Sequence, residues 1–344
     1  MRGRATPCGR RRPRSVGRVT STAPDDPRAP ARSPASIATT RPADGFVLVR
    51  DVGPRDGLQA IDEDVGFETK VAMVEGLVGA GVPRVEVGSF VSLRAVPRMA
   101  DSGRVVAATS TVAASRESLV VNERGARDAV AAGADVLVGV VAASDTFSHR
   151  NVGTSTDDAL AELGRIAAVA HGHGVPLSVD LATAFGCAFE GRVAVGAVAR
   201  VAEAIVEAGA FEVVLSDTIG AAAPNDVTEV VGAVAERLGG AAELGLHLHD
   251  TRGMALANAV AGLDAGVRRF DASVGGLGGC PFSPGATGNV CTEDLVHLLH
   301  ALGWRTGIDL DALIAVAADV DRALEARLPS RMLAAGPRFA TTAR

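Results

Sequence analysis

Tyrosine is absent from this sequence, and lysine and tryptophan each occur once, as Lys70 and Trp304. A mechanism that needs a tyrosyl acid is therefore closed to it. A Schiff-base nucleophile would have to be Lys70, yet that residue lies in FETKVAMVEGLVGAG, where the helical pattern places it on the solvated outer face. The four cysteines, Cys8, Cys187, Cys280 and Cys291, follow neither a zinc-ligand spacing nor a disulfide ladder. That usage fits a reducing compartment, and the expected location is cytoplasmic. No apolar run free of glycine and charge is long enough to span a bilayer, so no membrane partner is expected. Aromatic residues make up 3% of the chain against 47% hydrophobic, so the core has to be aliphatic.

Charge is distributed unevenly. Residues 1–44 hold 10 Arg against 3 Asp, within a chain whose net charge is −6, so the remainder is strongly acidic. An acidic body argues against nucleic acid as a partner. The first 44 residues are rich in Arg, Pro, Ser, Ala and Thr without apolar periodicity, which reads as a disordered tail. An upstream extension without consequence, an organelle-targeting segment and a nucleic-acid arm are its competing accounts. Pro, Gly, Asp25 and Asp26 break the amphipathic helix that targeting requires.

From Gly45 the pattern changes to short aliphatic runs alternating with longer helical ones. Strands are predicted at 46–52, 84–89, 118–121, 135–141, 176–182, 211–217, 244–250 and 268–274. Helices are predicted near 67–80, 123–132, 156–173, 191–208, 225–238, 254–265 and 291–302, most of them closed by glycine. Eight such units over some 250 residues indicate an α/β fold, a (β/α)8 TIM barrel spanning residues 45–330. Residues 305–330 form an additional C-terminal helical segment, and residues 331–344 read as a flexible terminus. An open doubly wound sheet is the structural alternative, but no Gly-x-Gly-x-x-Gly follows the first strand.

In such a barrel the site lies at the C-terminal ends of the strands. Arg55 and Asp56 follow the first strand in VLVRDVGPRDGLQA, Glu86 lies in the second and Asp217 ends the sixth. The seventh carries His247 and His249 in HLHD. Alternate strand residues share a face, so both imidazoles point the same way and can converge on one ion. With Asp56 they make a nitrogen–oxygen set suited to Mg²⁺, Mn²⁺, Co²⁺ or Zn²⁺. Glu86 between two valines needs a partner, and Arg55 is the candidate. Asp217 reads equally well as a helix cap or as a site acid. Cys280, in GGLGGCPFSPGATGN, sits where glycines let the backbone approach a ligand, as a proton donor, a nucleophile or a plain buried thiol.

VGPRDGLQ, VEVGSFVS, LSDTIG, HLHDTRGMALAN and GGLGGCPFSPGATGNVCTEDLV, in this order over residues 46–325, resemble the 3-hydroxy-3-methylglutaryl-CoA lyase family. The resemblance implies a divalent cation, Mg²⁺ or Mn²⁺, held by Asp56, His247, His249 and Asn289. It implies an acyl-CoA substrate cleaved to acetyl-CoA and acetoacetate. The helix past the barrel could cover its rim or pair with another subunit in a homodimer or higher homo-oligomer. Arg55 matches the arginine that stabilises enolate charge, Glu86 and Asp217 match site acids, His247 or Asp217 would take the first proton, and Cys280 matches the thiol in proton transfer. On this reading Asp56 faces the cation and Arg55 the enolate, so the two do not form a simple salt bridge, while Arg50 and Asp51 belong to the strand and its surroundings. Asp180, Ala188 and Gly153 depart from the family pattern, which bears on the acyl group rather than the reaction. A metal-dependent aldolase or condensing enzyme acting on free 2-oxo acids is the second reading, and a non-catalytic binding barrel the third.

Overall fold

The computed structural model describes residues 43–61, 65–92, 94, 96–279 and 288–339. Eight parallel strands close into a barrel in sequence order: β1 (Leu48–Asp51), β2 (Arg84–Phe90), β3 (Ser115–Val120), β4 (Val136–Ala142), β5 (Leu177–Ala182), β6 (Glu212–Asp217), β7 (Glu243–Leu248) and β8 (Arg269–Ala272). Around them run α1 (Phe67–Gly79), α2 (Ser102–Ala108), α3 (Glu123–Ala132), α4 (Asp145–Asn151), α5 (Thr156–Gly172), α6 (Val195–Glu207), α7 (Pro224–Leu238), α8 (Ala255–Asp264) and α9 (Thr292–Ala301). This is the TIM barrel expected from the alternation of patterns.

Local chemistry sets the helix starts. The side chains of Asn122, Ser144, Ser155 and Asp309 accept backbone N–H groups that the first turns of their helices leave unpaired. The predicted C-terminal helix is shorter than its pattern, α10 (Leu310–Leu324). The segment from residue 331, read as flexible, instead opens with a short helix, α11 (Arg331–Ala335). Ser330 caps it, and Asp294 accepts the Met332 N–H at 2.8 Å. Two further helices, α2 and α4, escaped the sequence reading because seven residues are too few to show a period.

Lys70 corrects another expectation. It is buried, and its ammonium donates to Asp101 at 2.6 Å and to the Arg98 carbonyl at 2.7 Å. Within a helix that is apolar on several sides, the pattern does not distinguish a solvated face from one turned toward a neighbouring loop.

The core has two parts. Between strands and helices lies the aliphatic layer expected from composition, with Val85, Leu137, Leu215 and Leu246 fully buried. Inside the barrel, where branched aliphatic residues usually fill the layers, charged side chains stand instead. Arg269 reaches Glu212 at 3.3 Å, Arg84 reaches Glu212 and Glu117 at 2.6 Å each, and Arg50 reaches Glu117 at 3.2 Å. Arg50 also donates to both oxygens of Asp271, at 2.8 and 2.5 Å, and to Asp180 at 2.8 Å. The strand β3 starts earlier than predicted because its first half, Ser115–Glu117, is polar and faces this interior network in part through Glu117.

β1 leads into the Pro54 turn, where the N–H groups of Arg55, Asp56 and Gly57 converge on the Val52 carbonyl at 3.2, 2.7 and 3.2 Å. Gly57 is required there, since a Cβ would stand 2.8 Å from Leu277 Cβ. Asp51 anchors the turn by accepting from Gly53 N–H (2.8 Å) and the Thr292 hydroxyl (2.6 Å). Burial pushes the Asp51 carboxyl up to about 7 despite these donors. A carboxyl that binds its proton more tightly when folded subtracts stability as pH rises from its unfolded value, near 4, to about 7. Asp51→Asn, whose amide can still serve Gly53 and Thr292, should lessen this decline by a few kcal/mol at neutral pH relative to the parent. Urea unfolding of both proteins between about pH 4.5 and 7.5 checks it, with parallel pH profiles as the contrary result.

Candidate active site

The chemistry collects at the C-terminal mouth of the barrel. His247 belongs to β7 and His249 follows it two residues on, so both rings face inward, their centroids 5.2 Å apart. Beyond Gly288 the chain runs antiparallel to the end of β7. Val290 N–H donates to the Leu248 carbonyl at 3.0 Å and Asp250 N–H to that of Gly288 at 3.2 Å, which sets Asn289 opposite His249. Gly288 permits this approach, because a Cβ would lie 2.1 Å from the Gly276 carbonyl oxygen. Asn289 Nδ2 then donates to Asp56 Oδ2 at 2.8 Å.

Asp56, His247 and His249 each bring a ligand atom within 4.8 Å of the others. The donor set fits a cation on three observations. His247 Nδ1 faces Asp271 Oδ2 at 3.1 Å, the carboxylate–histidine arrangement that aims the other ring nitrogen at a metal. Its Nε2 meets His249 Nε2 at 3.2 Å, and two ring nitrogens that close must share a proton or a cation. Asn289 Oδ1 is buried beside them with no partner in the protein. Burial disfavours charge on His247, but Asp271, Asp56 and Asp180 outweigh it and raise its proton affinity. His249, buried and facing His247, is pushed down to about 4. Burial likewise opposes charge on Asp56, yet Arg55, His247 and the Asn289 amide hold its carboxyl below the usual range.

Arg55 joins this cluster to Glu86. It pairs with Glu86 at 2.6 Å, as expected, but it also donates to Asp56 at 2.9 Å. The two neighbours therefore do form an ion pair. The wide turn keeps adjacent side chains on one side, where strand alternation would have separated them. Glu86 shares the inward phase of β2 with Arg84, ahead of the register shift between Glu86 and Gly88, and so points into the barrel. Glu86 is fully buried, and burial lifts its carboxyl to about 7 in spite of Arg55 and Arg50.

Asp217 lies apart from the three-ligand cluster. Its two oxygens accept the backbone N–H groups of Ala221 (2.8 Å) and Ala222 (3.1 Å), which organises the turn before α7. Burial still raises its carboxyl above the ordinary value, because those hydrogen bonds do not compensate fully. Cys280 lies outside the described residues. Arg50 and Asp271 went unassigned in the sequence reading although both stand next to the site. Their signal was a charged residue at the inward phase of successive barrel strands, as in Arg50, Arg84 and Glu117.

A scan of family models matches residues 47–320 to HMGL-like. The (R)-citramalyl-CoA lyase of Chloroflexus aurantiacus is 42% identical over 302 residues, 85% of this chain and 95% of that protein. The hydroxymethylglutaryl-CoA lyase of Pseudomonas mevalonii is 43% identical over 271 residues, 78% of this chain and 90% of that protein. Among solved structures, an HMG-CoA lyase from Acinetobacter baumannii in complex with coenzyme A and 3-methylmalate superposes with a TM-score of 0.81 at 36% identity, covering 87% of this chain and 97% of that one.

The donor set predicts one divalent-cation site per chain. Titration of chelator-treated protein with Mn²⁺, followed by the loss of free-ion paramagnetic resonance, should saturate at one equivalent. His249→Ala should weaken binding by at least about 100-fold through loss of a direct ligand. An affinity unchanged by that substitution would place the ion elsewhere.

Proposed function

This chain belongs to the HMGL-like family, a family of lyases, and from that premise we propose that it cleaves a 3-hydroxy-3-methylacyl-CoA between C2 and C3. With 3-hydroxy-3-methylglutaryl-CoA the products would be acetyl-CoA and acetoacetate. The observation that carries this reading is the Asp56–His247–His249 cluster set directly against the Arg55–Glu86 pair at the barrel mouth. A second substrate is favoured by the similarity to a (R)-citramalyl-CoA lyase along nearly that protein's whole length. That acyl group is one methylene shorter and would leave pyruvate in place of acetoacetate.

Asp56, His247, His249 and Asn289 would hold a divalent cation, Mg²⁺ or Mn²⁺, which supplies Lewis-acid polarisation of the substrate oxygens and lowers the affinity of the C3 hydroxyl for its proton. His247 Nε2 is committed to that cluster and its Nδ1 to Asp271, so Asp217 is the group assigned to take the hydroxyl proton. Its carboxyl is buried and its proton affinity raised, as a base working near neutral pH requires. Loss of that proton drives cleavage of the C2–C3 bond, and the electron pair moves onto the thioester as an enolate. Arg55, fixed by Glu86 and Asp56, presents its guanidinium to the enolate oxygen. Cys280 is assigned the return of a proton to C2, which completes acetyl-CoA.

An acyl-CoA panel with free 2-oxo acids alongside, followed by acetyl-CoA release, tests the reaction. Cleavage of the branched 3-hydroxyacyl-CoAs supports it, and turnover of the oxo acids alone assigns the chain to the aldolase reading. Asp217→Asn should lower kcat by about 10²- to 10⁴-fold with KM little changed, the size expected for loss of a general base. Arg55→Gln should cost about 10²- to 10³-fold, as for an oxyanion donor. Activity near the parent's in either variant removes that residue from its role.

A further inference from the structure

We infer that Arg50 is a positioning residue of the site: by gripping Asp271 it fixes the His247 ring so that Nε2 faces Asp56 and His249. This rests on the proposed role of His247 in holding a cation. Three adjacent strands carry the arrangement in register, with His247 of β7 beside Asp271 of β8, and Asp271 beside Arg50 of β1. Arg50 donates through Nε to one Asp271 oxygen and through Nη2 to the other, at 2.8 and 2.5 Å. This two-point contact sets the plane of the carboxylate, which a single hydrogen bond would leave free to rotate. The oxygen that receives Nη2 is the one His247 Nδ1 faces at 3.1 Å. The direction of the imidazole is thus inherited from the guanidinium.

The guanidinium is itself held. Asp180 accepts from Nη2 at 2.8 Å and Glu117 from Nη1 at 3.2 Å, and Arg50 is 1% exposed. Carboxylates on β3, β5 and β8 therefore surround it and leave it a single orientation. Asp180, a position where this sequence departs from its family's pattern, finds its function here as a brace for Arg50. A lysine at position 50 would supply the charge without the fork, so charge and geometry can be separated by substitution.

Two readouts test this. The first is the nitrogen spectrum of ¹⁵N-histidine-labelled, cation-free protein at about pH 8, above the ordinary histidine range. The second is the dissociation constant for Mn²⁺ alone. The parent should show His247 protonated at Nδ1. Arg50→Met should show mixed tautomers and a Mn²⁺ dissociation constant raised about 10- to 100-fold, the range for loss of an outer hydrogen-bond partner. Arg50→Lys should fall between the two. Arg116→Met, which breaks a partly buried pair with Asp135 away from the site, should lower stability and leave both readouts unchanged. A parent-like tautomer and dissociation constant in Arg50→Met overturn the inference. If that variant does not fold, the same values in Arg50→Lys overturn it. A parent that binds no Mn²⁺ refutes the cation reading instead, while the tautomer still decides the role of Arg50.

Discussion

A charge buried inside a barrel has to be answered by another charge, and that constraint organises this molecule. Ionised groups are expensive to desolvate, so each arginine in the interior stands within hydrogen-bond reach of a carboxylate. The chain of contacts climbs from Arg269 and Glu212 through Arg84, Glu117 and Arg50 to Asp271 and His247. Six of the eight strands contribute to it, and Asp180, paired with Arg50, adds β5. Such an interior contributes little net stability compared with packed aliphatic side chains, but removal of one member leaves its partners uncompensated. What it contributes is orientation at the mouth.

The mouth divides this charge into two functions. Asp56 touches both, accepting from Arg55 on one side and from Asn289 on the other, with the histidines opposite. An arginine held on one edge by Asp56 and on another by Glu86 has lost its rotational freedom before any ligand arrives. Preorganisation of this kind is how a fixed dipole or charge lowers a barrier without reorganising at the moment of reaction. The turn that presents the pair depends in turn on Asp51, Thr292 and Gly57, so the chemistry at residue 56 is tied to the packing of α9 against β1.

Much of this was legible in the sequence, for physical reasons that differ by level. The barrel was visible because aliphatic strands and glycine-terminated helices alternate with a regular period, and α3 falls on its predicted residues. Asp56, His247 and His249 could be brought together because strand alternation and the mouth of a parallel barrel specify direction as well as position, whereas Asn289 joined them only through the family resemblance. The Arg55–Asp56 contact was read wrongly because a turn in which three N–H groups share one carbonyl does not obey strand alternation. The burial of Lys70 and the place of Arg50 beside the site were missed for a common reason. A charged residue flanked by apolar ones looks solvated or incidental until its partners are known, and those partners, Asp101 for one and Asp271, Asp180 and Glu117 for the other, lie 31 and up to 221 residues away. Long-range ion pairing leaves no local trace.

The central claim is that the ionic interior ends in a cation site at the barrel mouth. Anomalous diffraction at the manganese absorption edge, from crystals grown with Mn²⁺, tests it most directly. The account predicts one strong peak per chain, bounded by Asp56, His247, His249 and Asn289. A protein that cleaves its substrate while the anomalous map is empty at that position, or shows its manganese elsewhere, would contradict it.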